Sequence, residues 1–585
     1  MTPCSVRGGR GAGIAWCLLA LVAVVCPGPA WADWLSELET YALARMQDYA
    51  SPGMAIVIVQ NDQVLLAKGY GQRTAGEPGA VDADTVFLLG STSKAFCAAQ
   101  LAVLAEAGRI GWHDTVRGHL PDFRLYDAAV SERFQVEDML SHRSGLPMYA
   151  LTMMEILDYP TADRVRGVRF VAPVTSFRTT FAYQNVLYTT ASQLVEAVTG
   201  LPWREHLARS IFAPLGMTRS VASQADVDAL DNVAVGHLRL ANDSLWPIPA
   251  DWFWNETQDR AMAAAAVRTT ANDLGRWLRF FLAEGRIDGK RVLSPDTIHY
   301  LLAPKVLVSP WEHGTGSPHA GPVSYCAGWM RYDLSPQPFL FHEGGAMGSG
   351  SAVGFAPGAG VGIAVLSNVL AGDGLATDVV WKFYDLFFAA GGTAGASAQA
   401  PTEAVAAGAP AHTGAAATPA QTVAAGAPAH TGAAGAPAQA GPAGPAGPPP
   451  GGATGRAGTG TTVPGLPLAR AATAVPDLPL ARYCGRYGNP AYGLFAVHLA
   501  GDHLEIVMGP RHWRARLQPE GGNAFTAVLP GYPEGFEMTI PMTFAFPADG
   551  PAVLTTGPIL HDPAETFPGI GPDLSGQLLL LRNGD

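Results

Sequence analysis

At 585 residues the chain is too long for one ordinary domain and predicts two or more. Hydrophobic content of 48% with 15% charged residues fits a globular protein that buries a substantial core. A net charge of −12 supplies no basic footprint, which excludes a nucleic-acid-binding surface as the organising theme.

Residues 1–32 read as a secretory signal peptide. Arg7 and Arg10 give a positive start, Ala12 to Cys26 an apolar run too short to span a bilayer, and Ala30-Trp31-Ala32 a cleavage site before Asp33. No later segment approaches a transmembrane span, so the protein is expected to be exported, to the periplasm or outside the cell. Removal of the leader leaves Cys97, Cys326 and Cys484. An odd number at wide spacing makes neither a disulfide framework nor a zinc site, and no metal or cofactor is expected.

Met54 to Gln60, the turn Asn61-Asp62 and Val64 to Tyr70 predict a β-hairpin. The stretch Ser91-Thr92-Ser93-Lys94 then opens a helix in which Gln100 is the only polar residue from Ala95 to Ala105. A helix apolar on every side is a buried helix, yet lysine is almost never buried without a partner. Ser91, three residues before Lys94, shares its face. The pair offers a serine at a helix N-terminus, where developing negative charge is favoured, and a lysine whose desolvation lowers its pKa towards that of a usable base. A serine cap followed by a snorkelling lysine gives the same pattern, so the pair needs company.

Residues from about Arg109 to Ala283 are mostly helical in pattern. One helix is expected to start at Thr190-Ala191-Ser192-Gln193, a capping-box spacing, and to run to Gly200; another starts at Thr270. Tyr183-Gln184-Asn185 lies in the loop before the first, where a tyrosine hydroxyl can relay a proton and an amide can position groups. Strands are expected at Tyr325 to Tyr332, Phe339 to His342, Ser351 to Phe355 and Val361 to Leu366, then a helix over Ala376 to Ala390. Strands at both ends with helices between predict one α+β domain over 33–391. His342-Glu343-Gly344-Gly345 ends a strand, and its glycines allow a substrate backbone to approach closely, the Gly345 and Ser91 amides forming an oxyanion hole.

Residues 392–476 are rich in Ala, Gly and Pro, with Val405 to Ala416 recurring as Val423 to Ala434. Such a tract buries too little to fold and is expected to be a disordered tether on which the next domain moves. Residues 477–585 alternate short apolar runs with Gly and Pro turns and predict a small all-β sandwich or barrel.

Ser91-Thr92-Ser93-Lys94, Tyr183-Gln184-Asn185 and His342-Glu343-Gly344, in that order, resemble the Ser-x-x-Lys, Tyr-x-Asn and Lys/His-x-Gly motifs of the serine β-lactamase and penicillin-binding protein superfamily. The branch it resembles is that of class C β-lactamases, D-Ala-D-Ala carboxypeptidases, esterases and D-amino-acid peptidases. Tyr483-Cys484-Gly485-Arg486-Tyr487 looks like the start of the lipocalin-like domain that some of these peptidases carry. The resemblance implies a β-lactamase-like sheet flanked by helices, with an all-helical region. It makes Ser91 the acylated nucleophile, with Lys94 and Tyr183 sharing acid/base work. Asn185 would position substrate and Lys94, and His342 would replace the family's strand lysine. Glu343 stands where the family has a hydroxyl that helps bind a substrate carboxylate. The implied function is a secreted serine hydrolase of amides or esters, such as a peptidase, a carboxypeptidase-like enzyme or an esterase. A true β-lactamase and a non-turnover cell-wall sensor are the alternatives. Its partners would be small molecules or peptides, peptidoglycan-derived ones included, and the oligomeric state stays open.

Overall fold

A computed structural model describes residues 29–308, 321–370, 372–391, 475–489, 493–529, 531, 533, 539–548, 552–556 and 578–582. Residues 1–28 and most of the Ala/Gly/Pro-rich tract, with the expectations placed on them, lie outside these residues.

Helix α1 (Pro29–Asp48) leads into the hairpin of β1 (Gly53–Gln60) and β2 (Gln63–Gly71). Asn61 makes the turn at φ +53°, a left-handed conformation that asparagine tolerates. Six further strands return from late in the chain: β3 (Val306–Val308), β4 (Val323–Tyr325), β5 (Met330–Tyr332), β6 (Phe339–Ala346), β7 (Ser349–Ala356) and β8 (Val361–Ser367). They join the hairpin in one sheet of order β2-β1-β8-β7-β6-β5-β4-β3. The join is β1 against β8, from Met54↔Ser367 to Gln60↔Val361.

Between the two halves of the sheet run α2 (Ser93–Glu106), α3 (Thr152–Ile156), α4 (Asn185–Thr199), α5 (Phe253–Arg260) and α6 (Ala271–Leu282); α7 (Gly372–Ala389) closes the unit. Strand β1 is buried along nearly its whole length and is apolar at both parities. Met54, Ile56 and Ile58 pack with α1 and α7, while Ala55, Val57 and Val59 share the core of α2 and α6. Phe96 of α2 stacks on Trp277 of α6 with ring centroids 4.0 Å apart, fixing the helix that carries Lys94 to the layer beneath it.

Two expected elements differ. The segment Tyr325 to Tyr332 is two strands, β4 and β5, rather than one. Gly328 turns the chain at φ +76° between them, and a Cβ there would stand 2.8 Å from Lys94 O and from Ala95 Cα. The hairpin tip is therefore seated against the backbone of α2. Helix α4 starts at Asn185, five residues before the expected cap. Thr190 Oγ1 donates to Val186 O at 2.9 Å and Ser192 Oγ to Tyr188 O at 3.2 Å, so these hydroxyls serve the helix interior.

The C-terminal strands β9 (Gly485–Asn489), β10 (Gly493–Ala500), β11 (His503–Met508), β12 (Trp513–Gly521), β13 (Ala524–Val528), β14 (Thr539–Ala545), β15 (Val553–Thr556) and β16 (Leu578–Arg582) form a closed antiparallel meander barrel. Alternation along β11 buries Leu504, Ile506 and Met508, which meet Phe525 and Phe544 inside. The barrel does not ride free of the α+β domain as a tether alone would suggest. Trp252 Nε1 donates to Gly531 O at 3.0 Å, and the rings of Phe253 and Trp513 pack at a tilt of 57° with centroids 4.8 Å apart. Asp158, with 4% of its side chain exposed, receives Arg260 from α5 and Arg511 from the β11–β12 turn.

Candidate active site

The chain enters α2 through a single 3-10 turn, Gly90–Thr92. That turn is bound to β7: Ser351 Oγ donates to Leu89 O at 2.6 Å and lies 3.0 Å from Thr92 Oγ1, and Ser349 Oγ donates to Leu88 O. Ser91 is thereby held at the junction of sheet and helices. One turn on, Lys94 is fully buried, with Nζ 3.0 Å from Ser91 Oγ and 2.9 Å from Ala264 O. The rings of Tyr183 and Tyr188 lie 4.6 and 5.5 Å from the same nitrogen. Burial lowers the Lys94 pKa from 10.5 to about 7, against the opposing charges of Glu155, Cys97 and Glu343. The lysine therefore loses its proton near neutrality.

Tyr183 is buried beside it, and burial drives its pKa well above 10.0, Tyr325 and Tyr149 adding to the rise and Ser91 opposing it. The phenol stays protonated at any physiological pH. Tyr183 itself lies in the loop, Tyr149 N–H donating to its carbonyl at 2.8 Å, and Gln184 N–H donates to His142 Nδ1 at 3.0 Å. Asn185 is the first residue of α4 and half-buried, and its Oδ1 is buried with no hydrogen-bond partner. Asn185 Oδ1 makes no hydrogen bond to Lys94, whose Nζ is bonded to Ser91 Oγ and to the carbonyl of Ala264.

The third motif ends β6. Its ladder to β5 stops at Met330↔Phe341, while that to β7 continues through Gly345↔Gly350, so the segment from His342 onward has one edge without a partner strand among the described residues. This edge lies against the backbone of Leu89 and Ser91. A Cβ on Gly344 would come within 2.1 Å of Leu89 O and 2.9 Å of Ser91 N, so only glycine allows the approach. His342 is buried, with Nδ1 2.6 Å from Glu343 O and Nε2 3.1 Å from the Tyr325 hydroxyl. Glu343 shares a strand face with Phe341, yet its charge still raises the pKa values of Lys94, Tyr183 and Tyr325.

Residues 38–381 match the Beta-lactamase family model, over half of the chain. The chain belongs to the Beta-lactamase family. Residues 469–557 match a domain of unknown function (DUF3471). Among curated relatives, Penicillin-binding protein 4 of Amycolatopsis lactamdurans is 31% identical over 371 residues, covering 61% of this chain and 88% of that protein. Unguisins hydrolase ungD of Aspergillus violaceofuscus is 27% identical over 57% of this chain, which spans only 60% of that relative's length. The solved octameric penicillin-binding protein homologue from Pyrococcus abyssi covers 89% of this chain at a TM-score of 0.52 and 18% identity, a likeness of fold. Within this Beta-lactamase-family chain, the part over 38–381 is a serine hydrolase domain.

Three contributors to the Beta-lactamase-family site were not foreseen. Ala264 acts through a backbone oxygen, which leaves no mark in a side-chain pattern. Tyr188 is five residues after Tyr183, one helical turn into α4, a signal that an earlier helix start would have exposed. Tyr325 comes from β4, and nothing in its local sequence points to His342. Among the described residues no cluster of His, Cys, Asp or Glu forms a metal site, and no helix is long and apolar enough to cross a membrane.

Proposed function

We propose that the protein is an exported acyl-enzyme hydrolase of amide or ester bonds, with a neutral or amino-terminal substrate preferred over an acidic one. The observation that carries this is the fully buried Lys94, its Nζ 3.0 Å from Ser91 Oγ and its pKa about 7. Neutral Lys94 takes the Ser91 proton as Oγ attacks the substrate carbonyl carbon. The amides of Ser91 and Gly345 take up the charge on the resulting oxyanion. Tyr183, whose proton is held far above neutrality, donates to the leaving nitrogen or oxygen as the scissile bond breaks, and is reprotonated from Lys94. Water then repeats the sequence on the acyl-Ser91 ester, with Lys94 as base, and releases the acid.

Glu343 stands where the family places a hydroxyl for a substrate carboxylate. Two like charges about 4 Å apart cost on the order of 4 kcal/mol at an effective dielectric near 20. Solvent reduces this for the half-exposed Glu343, yet a fraction disfavours β-lactams and free peptide C-termini, while an ammonium would pair with it. A relative named as a hydrolase of unguisins supports hydrolysis as the reaction class. Export rests on the leader, and sequencing the mature N-terminus at Asp33 tests it. The eight-strand meander supports a lipocalin-like reading of the C-terminal barrel, which we assign to docking rather than ligand carriage because its inward side chains pack on one another.

A substrate panel of D-amino-acid peptides, short-chain esters and a chromogenic cephalosporin, run on wild type and Ser91→Ala, tests the reading. A fluorophosphonate adduct on the peptide holding Ser91, with activity abolished in Ser91→Ala, is the expected result. An adduct on any other serine overturns it.

A further inference from the structure

Both ring nitrogens of His342 have partners, and the partners assign its protons. Nδ1 lies 2.6 Å from the backbone oxygen of Glu343. A carbonyl oxygen only accepts, so Nδ1 carries the hydrogen. In the neutral ring Nε2 is then an acceptor, and the Tyr325 hydroxyl at 3.1 Å is its donor. Tyr188 donates its single proton to Leu140 O at 2.7 Å and can only accept from Tyr325, 3.5 Å away, so the two acceptors share one Tyr325 proton and the nearer His342 Nε2, at 3.1 Å, takes it. Tyr325 is itself fully buried, with the ring of His142 4.4 Å from its own, and burial keeps its hydroxyl protonated.

This bond spans a gap in the sheet. Strand β5 separates β4 from β6, but its ladder to β6 stops at Met330↔Phe341, and Tyr325 pairs with Met330 at that same rung. Beyond it, no strand holds the edge from His342 to Gly345 among the described residues. The Tyr325 side chain reaches past the end of β5 to take hold of His342.

We propose that Tyr325 is a positioning residue of the hydrolase centre: its hydroxyl holds His342 in the Nδ1–H tautomer, and His342 thereby anchors the Glu343 carbonyl and the Gly344–Gly345 edge beside Ser91. The proposal rests on the acyl-enzyme reading for its catalytic consequence, but not for its structural one. His342 acts as a brace and not as a proton carrier, since each nitrogen is engaged within the protein.

The test combines kinetics with nitrogen-15 NMR of the resting full-length enzyme labelled at histidine, the His342 signals being assigned by their loss in His342→Gln. Wild type should show a protonated Nδ1 and a bare Nε2 at neutral pH. Tyr325→Phe, which removes one oxygen, should lose that pattern and lower kcat about ten- to hundredfold with a smaller change in KM, since the oxyanion edge is displaced while the binding walls stay. Tyr188→Phe should leave the His342 pattern unchanged. A protonated Nε2 in wild type overturns the proposal even if Tyr325→Phe fails to fold, as does a Tyr325→Phe enzyme with the wild-type pattern and kcat. Activity surviving in Ser91→Ala would instead break the acyl-enzyme reading and leave the spectrum untouched.

Discussion

Asp158 of the α+β domain and Arg511 of the barrel form an ion pair, with Arg260 on the same carboxylate. Asp158 follows α3, whose Glu155 pairs with the buried Arg164 at 2.8 Å and is the largest charge acting on Lys94. The barrel thus leans on the wall that flanks Lys94. Arg511 is 37% exposed and Arg260 remains in its absence, so Arg511→Ala should cost only about 1 kcal/mol. Asp158→Asn strands two guanidinium groups face to face and should cost about 2 kcal/mol or more. Urea unfolding of both variants checks the order, and kcat/KM should fall more in Asp158→Asn.

The Lys94 pKa of about 7 sets the pH profile. The base is active when neutral, so kcat/KM should rise with pH through a midpoint near 7, measured with a substrate that does not titrate there. Stability follows the same group. Between about 7 and 10.5 the unfolded chain binds a proton that the folded chain has released. The destabilisation is therefore full below about pH 7 and fades as pH rises to 10.5. Lys94→Met should lose activity by about 10³-fold or more. It should also unfold at higher urea than wild type at pH 6, an advantage that shrinks by pH 10.

Glu343→Thr restores a hydroxyl in place of a carboxylate. Cephalosporin turnover should rise about tenfold, a change of about 1.4 kcal/mol, while turnover of amino-terminal peptides falls. Efficient cephalosporin hydrolysis by wild type, or no rise in the variant, refutes the charge argument.

Gly344→Ala puts a methyl 2.1 Å from Leu89 O, a backbone atom that cannot swing aside. The β6 edge must retreat from Ser91. The overpacking should cost about 1–3 kcal/mol in unfolding free energy and, by displacing an oxyanion donor, about 10²-fold or more in kcat. A variant with wild-type kcat would mean that this edge takes no part in the reaction.

The Ser91–Lys94 pairing was legible because its constraints are local. Ser91 and Lys94 are a helical turn apart, and a charged residue in an apolar helix announces a buried partner. The hairpin at Asn61 and the helix from Thr270, whose hydroxyl accepts from Asp273 N–H at 3.0 Å, carry their turn and cap signals in adjacent residues. What stayed hidden is set by contacts far apart in sequence. Thr190 matched a cap spacing, but tertiary packing extended α4 back to Asn185 and turned its hydroxyl inward. Tyr325 looked like the start of a strand through Tyr332, and only the seat of Gly328 on α2 splits that run. The Asp158 pair joins residues 353 positions apart, beyond the reach of any local pattern.

The seat of Gly328 on the Lys94–Ala95 backbone has a consequence for how such an enzyme can be altered. Sheet and helix meet there without a side chain between them, so the spacing of Ser91, Lys94 and the strand edge has no adjustable shim. Libraries that vary this joint should return mostly inactive clones. Change is better tolerated on the exposed rim nearby, as at Tyr149, whose ring lies 5.5 Å from that of Tyr183. New substrate scope should arise by diversifying that rim while the joint is left alone.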